Sequence, residues 1–385
     1  VVPKAEDRKR WDALVKDKAA GQKRIDDRKS AAKPDFELWL TNGAAAKLTA
    51  ALPVEKLLAH LPLSDNSETH LTITVGGETR TLSFTTNLTW QDGAVAEKAF
   101  RVRTATTPEI SDVGDFERDQ SVTYAAWVKL GGANSGAVFA RMDEGKDFRG
   151  WDLWLEGGKP GTHIIHKWPE DAIKVVAKKE LPKDRWAHVA ITYDGSSKTS
   201  GVKIYVDGEL QEFDIQADKL QNTIRASVPF KIGQRSKSSA VEKTGVQDVR
   251  FYGRALTQDE VRDLGNKARM AWLASKPAEK RSEKEGEELF TRWLTSGDEG
   301  YLAAVKAFEK LKGEESEIKM RGTIAHVMNE RDSAAEAYLL YRGEYDQRRD
   351  KVTPLTPAAL PPMPDDLPRN RLGLAKWLLR PENPL

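Results

Sequence analysis

Short runs in which apolar and polar residues alternate recur between Leu57 and Arg254, and this pattern constrains the fold more than any other. The pattern is clearest in residues 151–155 and 162–168, where glycines and prolines bound both runs. Successive side chains of a strand point to opposite faces, so such runs are typical of strands joined by tight turns. We therefore predict neighbouring antiparallel strands in this part of the chain.

Strand-like runs continue through the whole region at intervals of roughly 8–12 residues, the spacing of an antiparallel sandwich. The pairs Asp194-Gly195 and Asp207-Gly208 predict hairpins, because tight hairpin turns require positive φ angles. We predict a β-sandwich over residues 36–256, with no helix of any length between Leu71 and Arg254. The expected fold class is mainly β with flanking α-helices.

The N-terminal segment, residues 1–35, has a helical pattern that ends at Pro34. Acidic and basic side chains alternate there at helical spacing, and apolar residues such as Trp11, Leu14 and Ile25 are sparse. We predict a connector helix packed in a hairpin, in preference to an arm that binds nucleic acid.

The segment after the sandwich, residues 257–321, also has a helical pattern. Thr257 and Glu260 have the spacing of a capping box, which marks the start of a helix. Two more helices are predicted at 282–295 and 298–320, giving a helical hairpin. An apolar stripe in the last helix is the expected partner of the N-terminal helix, and it contains Leu302, Val305, Phe308 and Leu311.

The C-terminal segment, residues 322–385, is predicted to be an extended linker. Prolines are dense between Pro354 and Pro368, which favours extended, semi-rigid backbone. The amphipathic stretch from Arg371 to Leu379 needs an apolar partner, so we expect a further domain to begin there.

Composition excludes several classes of function. The chain has 385 residues, no cysteine and a formal net charge of +2. Disulfides, thiolate metal sites and a cysteine nucleophile are therefore excluded, and no overall field favours nucleic acid or a membrane surface. No apolar run reaches the ~18 residues of a membrane-spanning helix, so we predict no membrane insertion.

The strand-rich region contains the stretches VGDFERDQSVTYAAWVKL, ARMDEG, RGWDLWLEGG, GTHIIHKWP, HVAITYDGS, GVKIYVDG and VQDVRFYGRALT. Together they resemble the laminin-G-like, concanavalin A-type domain of large planctomycete proteins. The C-terminal part contains HVMNE, LLYRGEYDQ, LPPMP and PRNRLGLAKWLLRPENPL. These stretches resemble the start of the DUF1553 domain of the same proteins, and the whole resemblance extends from about Leu57 to Leu385.

The resemblance implies a concanavalin A-like jelly roll within a longer protein. In such proteins a haem-c domain of the planctomycete cytochrome type and a DUF1549 domain precede the laminin-G-like domain. Residues 1–35 would then be the end of the DUF1549 region, and residues 322–385 would lead into DUF1553. Any haem c would belong to a missing N-terminal domain or a partner chain. The implied location is extracytoplasmic, in the periplasm or at the cell surface.

The tryptophan-rich stretch of residues 151–168 is the candidate ligand-binding face. Sugars bind aromatic rings through their C–H faces and polar side chains through their hydroxyls, and this stretch offers both kinds of group. The candidate ligand-binding residues are Trp151, Asp152, His163, His166, Lys167 and Trp168.

Alternation along the strands allows only half of these candidates to share one face. Asp152 is expected to lie with Trp154, on the face opposite Trp151. His163 is expected to lie with Lys167, opposite His166 and Trp168. The alternative interpretation is that the tryptophans belong to the sandwich core and the histidines are structural hydrogen-bonding groups.

Acidic side chains in one glycine-containing loop are candidate calcium ligands, because calcium prefers several carboxylate and carbonyl oxygens. They are Asp143, Glu144 and Asp147. Asp112 and Asp115 lie in another loop, and no DxDxDG loop is present. The alternative is that both loops are simply solvated.

No catalytic residue is predicted in this chain. Glycosidases need two carboxylates across a cleft, but Asp152 and Glu156 would lie roughly 13 Å apart along one strand. The sequence has neither a GxSxG elbow nor an HExxH helix.

Two hypotheses of function follow from the sequence. The first is a non-catalytic recognition module that binds carbohydrate, with a polysaccharide as partner. The second is a structural or assembly module that docks onto other domains of its own protein or onto partner chains, within a haem-c-containing redox protein.

Overall fold

The computed structural model describes residues 1–85, 87–324 and 336–383. These residues form two compact units, of which one contains residues 13–313 and the other residues 1–12 and 314–385. The chain begins with the helices α1 (Arg8–Ala31), α2 (Lys33–Thr41) and α3 (Ala44–Ala50).

Two antiparallel sheets follow in the unit of residues 13–313. Their strands in chain order are β1 (Leu57–Leu61), β2 (His70–Val75), β3 (Glu78–Ser83), β4 (Trp90–Asp92), β5 (Lys98–Arg101), β6 (Glu109–Ile110), β7 (Val122–Lys129), β8 (Gly136–Asp143), β9 (Arg149–Glu156), β10 (Lys159–Lys167), β11 (Asp171–Ala177), β12 (Ala187–Tyr193), β13 (Val202–Val206), β14 (Glu209–Leu210), β15 (Phe213–Asp218), β16 (Phe230–Ile232) and β17 (Gly245–Tyr252).

The strands are connected out of sequence order, as in a jelly roll. Sheet 1 has the order β14-β13-β12-β7-β17-β1-β2-β3, and the β4–β5 hairpin is attached to β17. Sheet 2 has the order β15-β11-β10-β9-β8-β16-β6. The predicted sandwich is confirmed. In the described part of residues 71–254, helical structure is confined to the 3-10 turns Thr104–Thr106 and Thr199–Gly201.

The two sheets pack face to face over an aromatic core. Trp151 lies at its centre and is 1 % exposed. Its indole N–H donates a hydrogen bond to the Gly114 carbonyl at 2.8 Å. A side chain at Gly114 would overlap this indole, and the backbone there has a φ of +73°. Glycine is therefore required at this close approach. The rings around Trp151 are Phe116, Tyr124, Phe139, Phe230 and Phe251.

Helix α4 (Gln258–Ser275) covers part of the outer face of sheet 1, and the helices α5 (Glu283–Gly297) and α6 (Glu299–Arg321) follow it. Val261 and Leu264 of α4 pack on Ala125, Ala190 and Tyr205 of the sheet. The predicted capping box is confirmed, because the Thr257 hydroxyl accepts a hydrogen bond from the Glu260 N–H.

The sandwich begins later than predicted, because helices α2 and α3 occupy most of residues 33–50. Their segment is rich in alanine, leucine and lysine, which favour helix. Phe36 anchors it, with its ring centroid 5.0 Å from that of Phe290 and 5.5 Å from that of Trp293. Pro34 occupies the first turn of α2, so it marks a helix start as well as the end of α1. The strands begin at Leu57.

One of the two predicted hairpins has the expected geometry. Asp207 and Gly208 have φ angles of 51° and 81° and connect β13 directly to β14. Gly195 also has a positive φ, of 83°, but β12 ends at Tyr193 and β13 begins at Val202, so this pair lies in a longer loop.

The unit of residues 1–12 and 314–385 contains a hairpin of β18 (Ala337–Leu340) and β19 (Arg348–Val352), and a helix α7 (Arg371–Leu378). Trp377 of α7 is buried, and its indole N–H donates to the Pro361 carbonyl at 2.9 Å. The stretch HVMNE lies outside the described residues. No helix of the described residues is long and apolar enough to cross a membrane.

Replacing Thr257 by alanine tests how α4 is held on sheet 1. The variant loses the cap of the first turn, so we expect a loss of about 1 kcal/mol in the free energy of unfolding. Urea denaturation measures it. Thr295→Ala on the exposed surface of α5 is the control, with an expected change within about 0.5 kcal/mol. Equal values for both variants would contradict the capping role.

Candidate functional site

A row of side chains crosses the outer face of sheet 2, from β16 to β15. The row contains four charged or polar residues and two alanines, and the strand register makes each a direct neighbour of the next. Its members are Lys231, Ala140, Asp152, His163, Lys174 and Ala217.

Asp152 is the centre of this row and is fully buried, although it lies on the outer face. Its Oδ1 accepts hydrogen bonds from the His163 backbone N–H and lies 2.9 Å from the His163 Nδ1. Its Oδ2 accepts from the Arg235 guanidinium, from Nε at 3.0 Å and from one terminal nitrogen at 2.7 Å. Each carboxylate oxygen therefore has two partners.

Burial and the neighbouring side chains determine the protonation states of Asp152 and His163. Burial opposes ionisation of the Asp152 carboxyl, but His163 and Arg235 lower its pKa to about 2. Burial lowers the pKa of His163 despite the neighbouring carboxylate. The network at neutral pH is therefore a buried ion pair of Asp152 and Arg235 with a neutral imidazole beside it.

Three aromatic side chains surround the network and form what we call the aromatic patch: Phe148, Trp154 and Trp168. Each is half-buried. The Arg235 guanidinium lies 4.3 Å from the Trp154 ring centroid and 5.4 Å from that of Phe148. The His163 ring meets the rings of Trp154 and Trp168 edge-on, at centroid distances of 5.3 Å and 5.7 Å. Arg235 and His163 of this network therefore contact all three rings between them.

Glu144 anchors the loop that carries Arg235. Its carboxylate accepts hydrogen bonds from the backbone N–H groups of Lys237 and Ser238, at 2.6 Å and 3.0 Å, and also from the Ser236 and Ser238 hydroxyls. Burial opposes ionisation of Glu144, but these hydrogen bonds lower its pKa. Glu144 therefore fixes the position of the loop that follows β16.

The other two calcium candidates are placed differently. The Asp143 carboxylate accepts from the Gly145 N–H at 3.0 Å. Asp147 contacts the site through its backbone carbonyl, which accepts from the Trp168 N–H at 3.0 Å. No group of three or more possible metal ligands occurs in the part of the chain that the structure describes. Calcium binding by Asp143, Glu144 and Asp147 stays a prediction.

The structure separates the predicted ligand-binding residues into three groups. Trp151 belongs to the inter-sheet core, so its assignment to a ligand-binding face is wrong. Asp152 and His163 are buried beneath the aromatic patch. His166 lies at the strand end, with Nδ1 2.6 Å from the Thr223 carbonyl oxygen, and Lys167 is exposed.

Trp168 is on the same side as His163, which corrects the prediction that they face opposite ways. The pairing of β10 with β11 shifts register between Ile165 and Lys167. One extra residue in a strand reverses the alternation beyond it. The Trp168 side chain therefore lies in the aromatic patch.

The two carboxylates of β9 do not form a catalytic pair. Asp152 is enclosed by Arg235 and His163, while Glu156 accepts hydrogen bonds from Lys174 at 2.7 Å and from Gln216 at 3.0 Å. Neither geometry leaves a proton-transfer group opposite a nucleophile.

A second set of polar residues lies on the outer face of sheet 1, outside the residues predicted from the sequence. Asp248 sits in a bulge of β17 with a φ of 53°. It pairs with His60 at 2.6 Å and with Arg250 at 3.0 Å. Burial opposes its ionisation, but Arg250 and His60 hold the pKa of Asp248 well below its ordinary value. The sequence signal was a set of three polar residues within one strand, which are Gln247, Asp248 and Arg250.

His188 and Trp127 lie beside each other on the same outer face, with ring centroids 5.5 Å apart. Both are buried, and neither His188 nitrogen nor the Trp127 indole nitrogen has a hydrogen-bond partner among the described residues. Burial lowers the pKa of His188 to about 4, so this imidazole is neutral at pH 7.

Comparison with known proteins assigns the class of the sandwich. Residues 103–262 match the family described as the concanavalin A-like lectin/glucanases superfamily. Together with the two antiparallel sheets, this match makes that part of the chain a concanavalin A-like domain. No curated protein is significantly similar in sequence to the chain.

Solved structures with a similar sandwich include three with low sequence identity. The binding domain of Paraclostridial mosquitocidal protein 1 is 16 % identical over 55 % of this chain and 52 % of its own, with a TM-score of 0.42. The botulinum neurotoxin serotype D ligand-binding domain, in complex with N-acetylneuraminic acid, is 13 % identical over 58 % and 52 %, with a TM-score of 0.39.

The third is domain 4 of the extracellular arabinanase AbnA from Geobacillus stearothermophilus, in complex with arabinotriose. It is 17 % identical over 55 % of this chain and 98 % of its own, with a TM-score of 0.35. The chain spans about half the length of the other two. The class assignment depends on the family match and the strand topology.

Replacing Asp152 by asparagine tests the buried ion pair. The variant leaves the Arg235 charge buried without its partner, so we expect a loss of about 3–5 kcal/mol in the free energy of unfolding. Glu156→Gln, which breaks the more exposed pair with Lys174, is the matched control with an expected loss below about 1 kcal/mol. Denaturant unfolding at pH 7 measures both. A small effect in both variants would refute the role of Asp152.

Acid should destabilise the protein through His188. The unfolded chain binds this proton near the ordinary pKa of 6.5, whereas the folded chain binds it only near 4. The folded state therefore binds fewer protons between these values, and stability falls as pH falls through this window, by roughly 3 kcal/mol at most. The difference in unfolding free energy between wild type and His188→Leu isolates this contribution. A difference independent of pH would contradict it.

Proposed function

We propose that the concanavalin A-like domain is a non-catalytic recognition module whose carbohydrate ligand binds the aromatic patch on sheet 2. The observation that carries this proposal is the pair of half-exposed tryptophans, Trp154 and Trp168, held over a buried network of Asp152, Arg235 and His163. Rings fixed in this way present an apolar surface without losing side-chain entropy on binding.

The patch has both kinds of group that a sugar requires. The indole faces fit the C–H face of a sugar ring. Lys174 lies 5.7 Å from the Trp168 ring centroid and pairs with Glu156, and Gln216 donates to the same carboxylate. These polar groups at the edge of the rings can exchange their mutual hydrogen bonds for sugar hydroxyls. The match to a family of lectins and glucanases supports the same ligand class.

The outer face of sheet 2 is also available to a ligand. Its apolar cluster contains only residues of strands and loops in the described part of the chain, whereas helix α4 covers part of the corresponding face of sheet 1. An open sheet face with aromatic rings is where a polymer can lie across several strands.

We place this module in a longer, exported protein in which DUF1549 and DUF1553 regions flank it and haem c lies outside this chain. The second candidate function is assembly with other domains or partner chains. The exposed apolar residues at and just after α7 favour it, namely Leu372, Leu374, Leu378 and Leu379.

Binding of the full chain to laminarin, xylan, arabinan and polygalacturonate tests the recognition proposal. We expect saturable binding to one of them, and about a tenfold or greater loss of affinity in Trp168→Ala and in Trp154→Ala, because each loses a stacking surface. Isothermal titration calorimetry measures it, with and without a chelator to test the calcium prediction.

Trp186→Ala is the matched control, since Trp186 is a half-buried tryptophan whose indole N–H donates to the Asp92 carbonyl on sheet 1. Its affinity should equal that of wild type. Equal losses in all three variants, or no binding of wild type to any of these polymers, would contradict carbohydrate recognition by the patch and leave the assembly function.

A further inference from the structure

A cavity of about 780 Å³ lies against the outer face of sheet 1, within the unit of residues 13–313. Its floor is formed by β7 and β12 and by the turn between β13 and β14, and its walls by α2, α3, α4 and α5. This volume is in the range of cavities that enclose small ligands. The cavity is separate from the aromatic patch, which lies on the other sheet.

Two buried polar side chains line the floor of this cavity without a protein partner. His188 is 1 % exposed and Trp127 is 4 % exposed. The Trp127 indole nitrogen and both His188 ring nitrogens have no hydrogen-bond partner among the described residues. Buried polar groups of this kind cost folding free energy unless something binds them. These groups comprise two donors and one acceptor, because a neutral imidazole has one of each and the indole N–H donates.

Helix α4 approaches His188 closely at Gly265. A β-carbon at this position would lie 2.9 Å from the imidazole ring, so a larger residue would displace either the helix or the ring. The helix thus covers His188 from one side, and the Trp127 ring lies beside it.

The charges of the cavity wall are balanced and already paired. The wall contains three carboxylates and three cationic side chains, which are Asp207, Glu209, Asp263, Arg262, Lys267 and Arg292. Lys267 pairs with Asp263 at 2.7 Å, and Arg292 donates to the Asn266 side-chain oxygen at 2.8 Å. Asp207 accepts from the His188 backbone N–H at 2.9 Å. No unbalanced charge favours an ionic ligand.

Aromatic rings provide the apolar part of the wall. Trp39 and Trp293 line the cavity opposite the sheet, with ring centroids 6.4 Å apart. Flat apolar surfaces facing neutral hydrogen-bonding groups are suited to a ligand that has an apolar face and hydroxyl groups.

We propose that this cavity binds a neutral saccharide of one or two rings, with its hydroxyls on His188 and Trp127 and its C–H face against Trp39 and Trp293. This second site is independent of the patch on sheet 2. A bound saccharide would explain why two polar side chains are buried without partners, since such groups lower the free energy of unfolding when nothing binds them.

Saturation-transfer NMR with the full chain and the neutral disaccharides cellobiose, maltose, lactose and sucrose tests the proposal. We expect transfer to at least one of them, and about a tenfold loss of affinity in His188→Leu and in Trp127→Phe, which remove the hydrogen-bonding groups and keep apolar bulk. Glucuronic acid and glucosamine should compete poorly with the bound disaccharide, because the wall offers no free charge to either.

Thermal unfolding separates a binding role from a structural one. His188→Leu should be at least as stable as wild type at pH 7, since it removes unpaired buried groups. In a Trp154→Ala/Trp168→Ala background, which weakens the aromatic patch, His188→Leu should still lower disaccharide affinity about tenfold, which distinguishes this site from the proposed function. No transfer to any disaccharide in wild type, or unchanged disaccharide binding in both cavity variants, would each overturn the proposal.

Discussion

The buried carboxylate of Asp152 is the constraint on which the outer face of sheet 2 depends. A charge on a half-open sheet face would normally be solvated, but here Arg235 and His163 occupy all of its hydrogen-bonding capacity. The guanidinium in turn stacks between two aromatic rings. Electrostatic pairing and ring stacking therefore fix the same side chains, and the tryptophans have positions that packing alone would not specify.

The two sheets of the sandwich use their outer faces differently. Sheet 1 has alanines and tyrosines that accept helix α4, so its apolar surface is buried within the unit. Sheet 2 combines alanines with three aromatic rings and a row of charged and polar side chains, and no helix belongs to its apolar cluster in the described part of the chain. The same alternation of residues gives two different outer faces, and the difference lies in the size and polarity of the outward-facing side chains.

Much of the fold could be predicted from the sequence, because alternation and capping are local signals. The strands from Leu57 onward and the capping box at Thr257 follow from neighbouring residues. Helices α2 and α3 were missed because their short apolar pattern becomes stable only against Phe290 and Trp293, which lie far along the chain.

The candidate site was only partly predictable. Asp152, His163 and Trp168 lie in one tryptophan-rich stretch, so their spacing drew attention to them. Arg235 could not be identified, since it lies in a loop 83 residues from its carboxylate partner. The register shift that places Trp168 on the same side as His163 also cannot be recognised from the local sequence, because it depends on how β10 pairs with β11.

Glu144 joins the loop after β8 to the loop after β16, and this connection has a consequence for how the patch is made. The strands that carry Trp154 and Trp168 are contiguous and already bring His163 against both rings, but the guanidinium beside Trp154 and Phe148 arrives only with the loop after β16. A ribbon of β8 to β11 transplanted onto another protein would bring Asp152 and the aromatic rings without the cation that pairs with this carboxylate. The aromatic patch with its buried ion pair is thus a property of the closed sandwich, and it cannot be transferred by exchanging one hairpin.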